Sequence, residues 1–424
     1  MVLLIIATFV IGYIAIAFEH SIKINKAASA LITGVICWTF YILFTPDKEG
    51  VVETLLHHLG DLSQILFFLL GAMTIVELID AHDGFEIITK RITTRNKKKL
   101  LWIIGLLAFF LSAVLDNLTT AIVMISLIRK LIGDKKDRLL FAGAIIIAAN
   151  AGGAWSPIGD VTTTMLWIGG QITAVNIIVK LILPSLVCMI LPFLCMQFFL
   201  KGEVKTPTEQ FDSEGIPNVL HRNIVFFSGI GILLMVPVFK TLTHLPPFMG
   251  ILLGLGILWI IVEILHSDKD EEDRKNYTVA YALRKIDSSS ILFFLGILLA
   301  IAALESTGQL ALLAKGMDEK IRNQNLIVLT IGLLSSIVDN VPLVAASMGM
   351  YSLQQYPTDH YFWEFLAYCT GTGGSVLIIG SAAGVAVMGI EKIDFMWYLK
   401  RISWLALIGY FAGALTYILQ EQIL

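Results

Sequence analysis

The apolar residues of this chain fall in runs of about 20, divided by short polar loops, and that spacing restricts the fold more than any single motif. A helix of ~20 residues rises ~30 Å, the thickness of a bilayer's hydrocarbon core. Segments such as Met1 to Phe18 and Ile402 to Leu419 are apolar on every side, whereas a soluble chain of 424 residues would show amphipathic periodicity and more than 15% charged residues. The sequence therefore predicts an all-α polytopic membrane protein. Full spans fall near 2–19, 27–44, 62–80, 138–172, 175–200, 223–241, 247–265, 288–307, 361–391 and 402–420, which makes ten crossings. Two more apolar stretches, 100–128 and 325–355, carry polar residues at their middles. Two arms of roughly 12 residues each reach about half the bilayer, so these stretches are expected to be re-entrant hairpins.

Orientation follows Lys and Arg. The loop 81–99, with Lys90, Arg91, Arg95, Lys97, Lys98 and Lys99, and the loop after the first hairpin, with Arg129, Lys130, Lys135, Lys136 and Arg138, are both expected in the cytoplasm. The loop 45–61, net acidic, and the Lys- and Arg-free turn near 171–176 fall outside, and both termini face out. The first segment lacks a basic flank and a cleavage signal, which reads as a retained span in a bacterial plasma membrane. The net charge of −3 is spread over membrane-flanking loops, so no nucleic-acid partner is implied. Cys37, Cys188, Cys195 and Cys369 sit in apolar surroundings without metal-type spacing and read as core residues.

The chain repeats itself. Ser112-Ala-Val-Leu-Asp116-Asn117 returns as Ser335-Ser-Ile-Val-Asp339-Asn340, an offset of 223 residues. Ile65-Leu-Phe-Phe-Leu returns at Ile291 (offset 226), and Gly152-Gly153 with Gly159 return as Gly373-Gly374 with Gly380 (offset 221). Residues 1–200 and 223–424 thus form two repeats, joined by a cytoplasmic linker at 201–222. Each repeat holds five crossings, one re-entrant hairpin and one broken span (138–172 and 361–391). Five is odd, so the second copy inserts upside down and the topology is inverted.

Four polar breaks mark where chemistry sits. Two are the hairpin tips, at Asp116-Asn117 and Asp339-Asn340-Val-Pro342; two are Gly- and hydroxyl-rich interruptions of spans, at 150–164 and 370–381. Broken helices in transporters expose carbonyls and helix ends to a central cavity. No Lys or Arg lies between Leu100 and Ile128, between Leu139 and Val179 or between Asn323 and Ile390. Asp116, Asp160 and Asp339 must then protonate or bind a cation, because an unpaired carboxylate is costly within a membrane. Sodium takes oxygen ligands. Asp116, Asn117, Asn150, Ser156, Asp160, Thr163, Asp339, Asn340, Ser375 and Ser381 supply them, and a plain helix-capping role for the tip aspartates is the competing reading.

The stretches Gly71-Ala-Met-Thr-Ile-Val-Glu77-Leu-Ile-Asp80-Ala-His82-Asp83-Gly84 and Asn150-Ala-Gly-Gly-Ala-Trp-Ser156-Pro157-Ile-Gly159-Asp160, together with the Asp-Asn tips, resemble the NhaD-type sodium/proton antiporters of the ion transporter superfamily. The resemblance covers essentially the whole chain. It implies exchange of cytoplasmic Na+ or Li+ for external H+, essential polar residues at tips and broken spans, a moving transport domain and a homodimeric scaffold, with no cofactor. Glu77 and Asp80, near a span end, are candidate entrance carboxylates or proton relays, and His82 between Asp80 and Asp83 is a candidate pH sensor. A sodium-coupled anion symporter and a cation channel stay open as alternatives. An enzyme is disfavoured by the lack of a nucleophile–base pair or cofactor loop.

Overall fold

A computed structural model describes residues 1–89, 92–205, 219–268, 270 and 274–423. Lys90 and Arg91 of the basic loop, and 206–218 of the expected linker, lie outside the described residues. The chain is helical. Among the described residues the only β-type pairing is a single bridge between Asn96 and Glu203.

Small polar residues decide where the helices start. Asn25 caps Lys26–Phe44, Asp47 caps Lys48–Ala81, Asn96 caps Lys97–Leu115, Asp134 caps Lys135–Gly153, Thr173 caps Ala174–Met196 and Asp287 caps Ser288–Ser306. Each side chain accepts a first-turn N–H that lipid could not satisfy. Among the described residues, eight helices are long and apolar enough to cross a membrane. Val2–Ala17 is shorter, and two spans are interrupted: Lys135–Gly153 is followed by Val161–Ile168, and Tyr361–Gly373 by Ala382–Glu391.

Three expectations need correcting. The acidic stretch 45–61 is mostly helix, because Lys48–Ala81 runs 34 residues and starts far outside its apolar part. Capping and helix propensity do not stop at the bilayer boundary, whereas hydropathy does. The arms of the first tip, Lys97–Leu115 and Asn117–Leu131, hold 19 and 15 residues rather than a dozen, and the first is long enough to cross a membrane by itself. Its opening lysines lengthen it beyond the apolar run. The arms of the second tip, Gln324–Leu334 and Asn340–Met350, hold 11 residues each. An amphipathic helix not foreseen, Gln309–Ile321, precedes them; its polar face kept it below the hydropathy of a span.

Packing is matched between the halves. Lys97–Leu115 lies on Lys135–Gly153 as Gln324–Leu334 lies on Tyr361–Gly373, and Val2–Ala17 lies on Lys26–Phe44 as Val219–Thr243 lies on Pro247–Leu265. Lys26–Phe44 crosses over to Ser288–Ser306, and Pro247–Leu265 to Lys48–Ala81, while Ala174–Met196 and Ser403–Ile423 pack on one another. The arm-to-span contacts are backbone against backbone. A Cβ at Gly152 would lie 2.1 Å from the Phe109 carbonyl oxygen, and one at Gly373 would lie 2.0 Å from that of Gly332. Ser112 Oγ donates to Ala149 O at 2.6 Å and Ser335 Oγ to Thr370 O at 2.8 Å, locking each arm to its broken span in the same way. The Lys97 N–H donates to Gly202 O at 3.2 Å and the Gly133 N–H to Lys205 O at 2.7 Å, so both ends of the first arm pair hold one short stretch of chain.

Candidate cation site

Four short helices begin where the breaks converge, and each is capped by a residue singled out above. Asp116 caps Asn117–Leu131, Asp160 caps Val161–Ile168, Asp339 caps Asn340–Met350 and Ser381 caps Ala382–Glu391. Four other helices end there, at Leu115, Gly153, Leu334 and Gly373, and bring the carbonyl-rich, electronegative pole of a helix. Capping and cation binding are thus not exclusive, since a carboxylate has about four acceptor positions and a cap fills one or two.

Asp160 is the centre. Its side chain is buried, and Oδ1 accepts from the Thr162 N–H and the Thr162 hydroxyl, both at 2.9 Å. Asn117 Nδ2 donates to Asp160 Oδ2 at 2.6 Å and to Asn150 Oδ1 at 3.0 Å. From the other tip, Asn340 Nδ2 donates to both Asp160 oxygens at 3.3 Å. Asn150 Nδ2 then donates to Ser375 Oγ at 2.9 Å and Ser381 Oγ at 3.0 Å. One connected network therefore joins both tips and both interrupted spans, and the repeat-related Asn117 and Asn340 meet on a single carboxylate. Among the described residues, neither asparagine's Oδ1 accepts a hydrogen bond, which leaves two neutral oxygens beside a buried carboxylate. Ligands of that kind suit a hard monovalent cation.

Ser156 and Thr163 support the network from outside it. Ser156 Oγ donates to Ala113 O at 2.5 Å, fastening the break to the first arm, and Thr163 Oγ1 donates to Asp160 O at 2.9 Å. The tips meet through their asparagines rather than their aspartates. Asp116 is occupied by the Thr119 N–H (2.8 Å) and hydroxyl (3.0 Å), and its backbone is held at φ 79°, a strained conformation for a non-glycine residue. Asp339, at φ −48°, does not share that strain.

Asp339 also has the basic partner that its sequence neighbourhood lacks. Lys26 Nζ lies 3.3 Å from Asp339 Oδ2, across 313 residues of chain. The expectation of three carboxylates without a cation holds along the sequence and fails in space.

Glu77, Asp80 and His82 stand apart, at one end of Lys48–Ala81. Asp80 lines a cavity of about 120 Å³ with Asp83, Glu86 and Lys130, and Glu77 is half-buried one turn before it. His82 is not an exposed loop residue. It caps the helix end, is 3% exposed, donates from Nδ1 to Leu78 O at 2.7 Å and sets its Nε2 2.9 Å from His266 Nε2. Two buried carboxylates had gone unnoticed. Glu391 accepts from Arg129 Nε and Arg138 Nε, both at 2.8 Å, and Glu364 accepts from Asn176 Nδ2 at 2.6 Å. A lone Glu within the apolar run 361–373 was the available signal for the second.

The profile described as "Citrate transporter" matches residues 2–371 of the chain. "Sodium/proton antiporter 1" of Arabidopsis thaliana is 50% identical over 412 residues, covering 97% of this chain and 71% of that protein. "Sodium/proton antiporter 2" of the same plant is 48% identical, with 97% of each chain covered. "Na(+)/H(+) antiporter NhaD" of Alkalimonas amylolytica is 30% identical, with 96% of this chain and 88% of that one covered.

Proposed function

The chain belongs to the citrate transporter family and, within it, to the NhaD-type sodium/proton antiporters, and on that premise we propose that it exchanges cytoplasmic Na+ or Li+ for external H+ by alternating access. It is a multi-pass membrane transporter. The observation that carries the reading is the convergence of Asn117 and Asn340 on Asp160, with Asn150 passing the contact on to Ser375 and Ser381.

Asp116, Asp160 and Asp339 hold either sodium or protons. A protonated carboxyl donates where it must accept, so the two loads exclude one another, and that exclusion couples them. Asn117, Asn150, Asn340, Ser375 and Ser381 complete the oxygen shell, and Ser156 and Thr163 brace it. Glu77 and Asp80 pass ions to the cytoplasm, with His82 as the titrating neighbour. Residues 1–200 and 223–424 act as inverted repeats, so that one tip serves each face, and the chain works as a homodimer in a bacterial plasma membrane with both termini outside. The Lys- and Arg-rich loops support that orientation, and the matched packing of the two halves supports the repeat.

The family's description, a citrate transporter, favours a second reading, transport of an anion such as citrate, here taken as symport with sodium. Three aspartates around one network, against a single lysine, make a poor anion site. Purified protein in inside-acid proteoliposomes separates the readings. Antiport requires proton efflux on adding external sodium, saturable in sodium, indifferent to citrate and lost in Asp160→Asn. Citrate-dependent sodium uptake, or sodium flux that ignores the proton gradient, overturns it.

A further inference from the structure

The antiport reading leaves one charged side chain at the site without a task. Lys26 opens the helix Lys26–Phe44, which packs mainly on Val2–Ala17 and Ser288–Ser306. Its Nζ sits 3.3 Å from Asp339 Oδ2 and 4.3 Å from the centroid of the Phe293 ring. Asp339 Oδ1 accepts from the Val341 N–H, and the adjoining Asn340 reaches Asp160. The line from Lys26 to Asp339, Asn340 and Asp160 therefore ties a separately packed helix to the centre of the network. Among the described residues the first tip has no such cation: Asp116 accepts from the Thr119 N–H and hydroxyl.

Building on that antiport reading, we infer that Lys26 is a tethered competitor of the transported ion: its ammonium holds the deprotonated Asp339 while no sodium is bound, and sodium displaces it. The contact has the character of an exchangeable partner. A permanent charged bridge is short and, with Arg, two-pronged, at ~2.7–2.9 Å. This one is a single contact at 3.3 Å from a flexible lysine stem that stays 24% exposed, to a carboxylate 16% exposed. Sodium and an ammonium are both monovalent cations seeking the same oxygen, and two unit charges sharing one carboxylate within ~4 Å repel each other. Binding of the transported ion therefore frees Lys26 and detaches the second tip from the helix Lys26–Phe44. The Phe293 ring face, 4.3 Å from Nζ, keeps the ammonium near the site once it is displaced.

The test uses the full chain, with sodium chloride as probe. The half-saturating sodium concentration is read twice, from thermal stabilisation in detergent and from exchange in proteoliposomes. Lys26→Met removes the competitor and should lower that concentration about fivefold or more, and in the thermal assay the gain should vanish on an Asp339→Asn background. A higher or unchanged value in Lys26→Met, with the wild type exchanging normally, overturns the inference and makes Lys26 a structural tie. A wild type without sodium-driven proton movement overturns the antiport reading instead. Should Lys26→Met not fold, amine-selective labelling of wild-type Lys26, followed by peptide mass spectrometry, decides. Labelling that accelerates with sodium supports displacement, and labelling indifferent to sodium refutes it.

Discussion

Asn117 and Asn340 are repeat partners, and sequence symmetry treats them alike. Their hydrogen bonds do not, and Ala substitution should separate them. Asn117 is 6% exposed, and its amide makes a charge-assisted contact of 2.6 Å to Asp160 Oδ2 and one of 3.0 Å to Asn150 Oδ1. Removing a bond to a charged group costs about 1.5–3 kcal/mol, and stranding the Asn150 oxygen costs about 1–3 kcal/mol more, of which sodium or water recovers part. A net loss of about 3 kcal/mol raises the half-saturating sodium concentration roughly 100-fold. Asn340 offers its amide nitrogen to the two Asp160 oxygens only at 3.3 Å, so its loss should cost about 1 kcal/mol, roughly fivefold. The assay is sodium-dependent thermal stabilisation of purified protein, checked by sodium-induced collapse of the proton gradient in everted vesicles at matched expression. Equal shifts, or a larger one for Asn340→Ala, would refute the claim that the first tip carries the stronger link to Asp160.

Gly152→Ala and Gly373→Ala push a Cβ to 2.1 and 2.0 Å from an arm carbonyl, so each should lower the folded yield and cost at least ~2 kcal/mol in thermal unfolding, whereas Gly256→Ala, with nothing within 4 Å, should be nearly silent. Apparent sodium affinity should weaken as pH falls on the binding side, approaching tenfold per pH unit where the shared carboxylates are protonated; sodium titrations at several pH values with one common affinity would point to separate sites. Glu391→Ala leaves the Arg129 and Arg138 guanidiniums without their buried partner, and since Arg129 is 47% exposed the loss should be about 1–3 kcal/mol, seen as a lower unfolding midpoint with exchange retained in the surviving protein.

Local chemistry was enough for a large share of this protein. Runs of apolar residues announced the spans, because lipid demands an uninterrupted hydrogen-bonded helix. Asp116-Asn117, Asp339-Asn340 and the glycine-rich stretches 150–164 and 370–381 announced the breaks, because polar groups there are costly unless used. Hydropathy missed the start of Lys48–Ala81 and the helix Gln309–Ile321, since it registers solvent rather than backbone, and it shortened the first tip's arms for the same reason. Along the chain, Asp116, Asp160 and Asp339 looked equivalent: three acids in apolar surroundings with no base nearby. Tertiary structure ranked them. It put Asp160 under both tip asparagines, gave Asp116 to its own helix turn and brought Lys26 across 313 residues to Asp339. Composition and periodicity record each residue's own preference for lipid, water or helix, and those preferences are local. Which charges become neighbours depends on how distant segments of the chain pack against each other, and the electrostatic energy that settles a carboxylate's role falls off with distance in space, not with separation along the sequence.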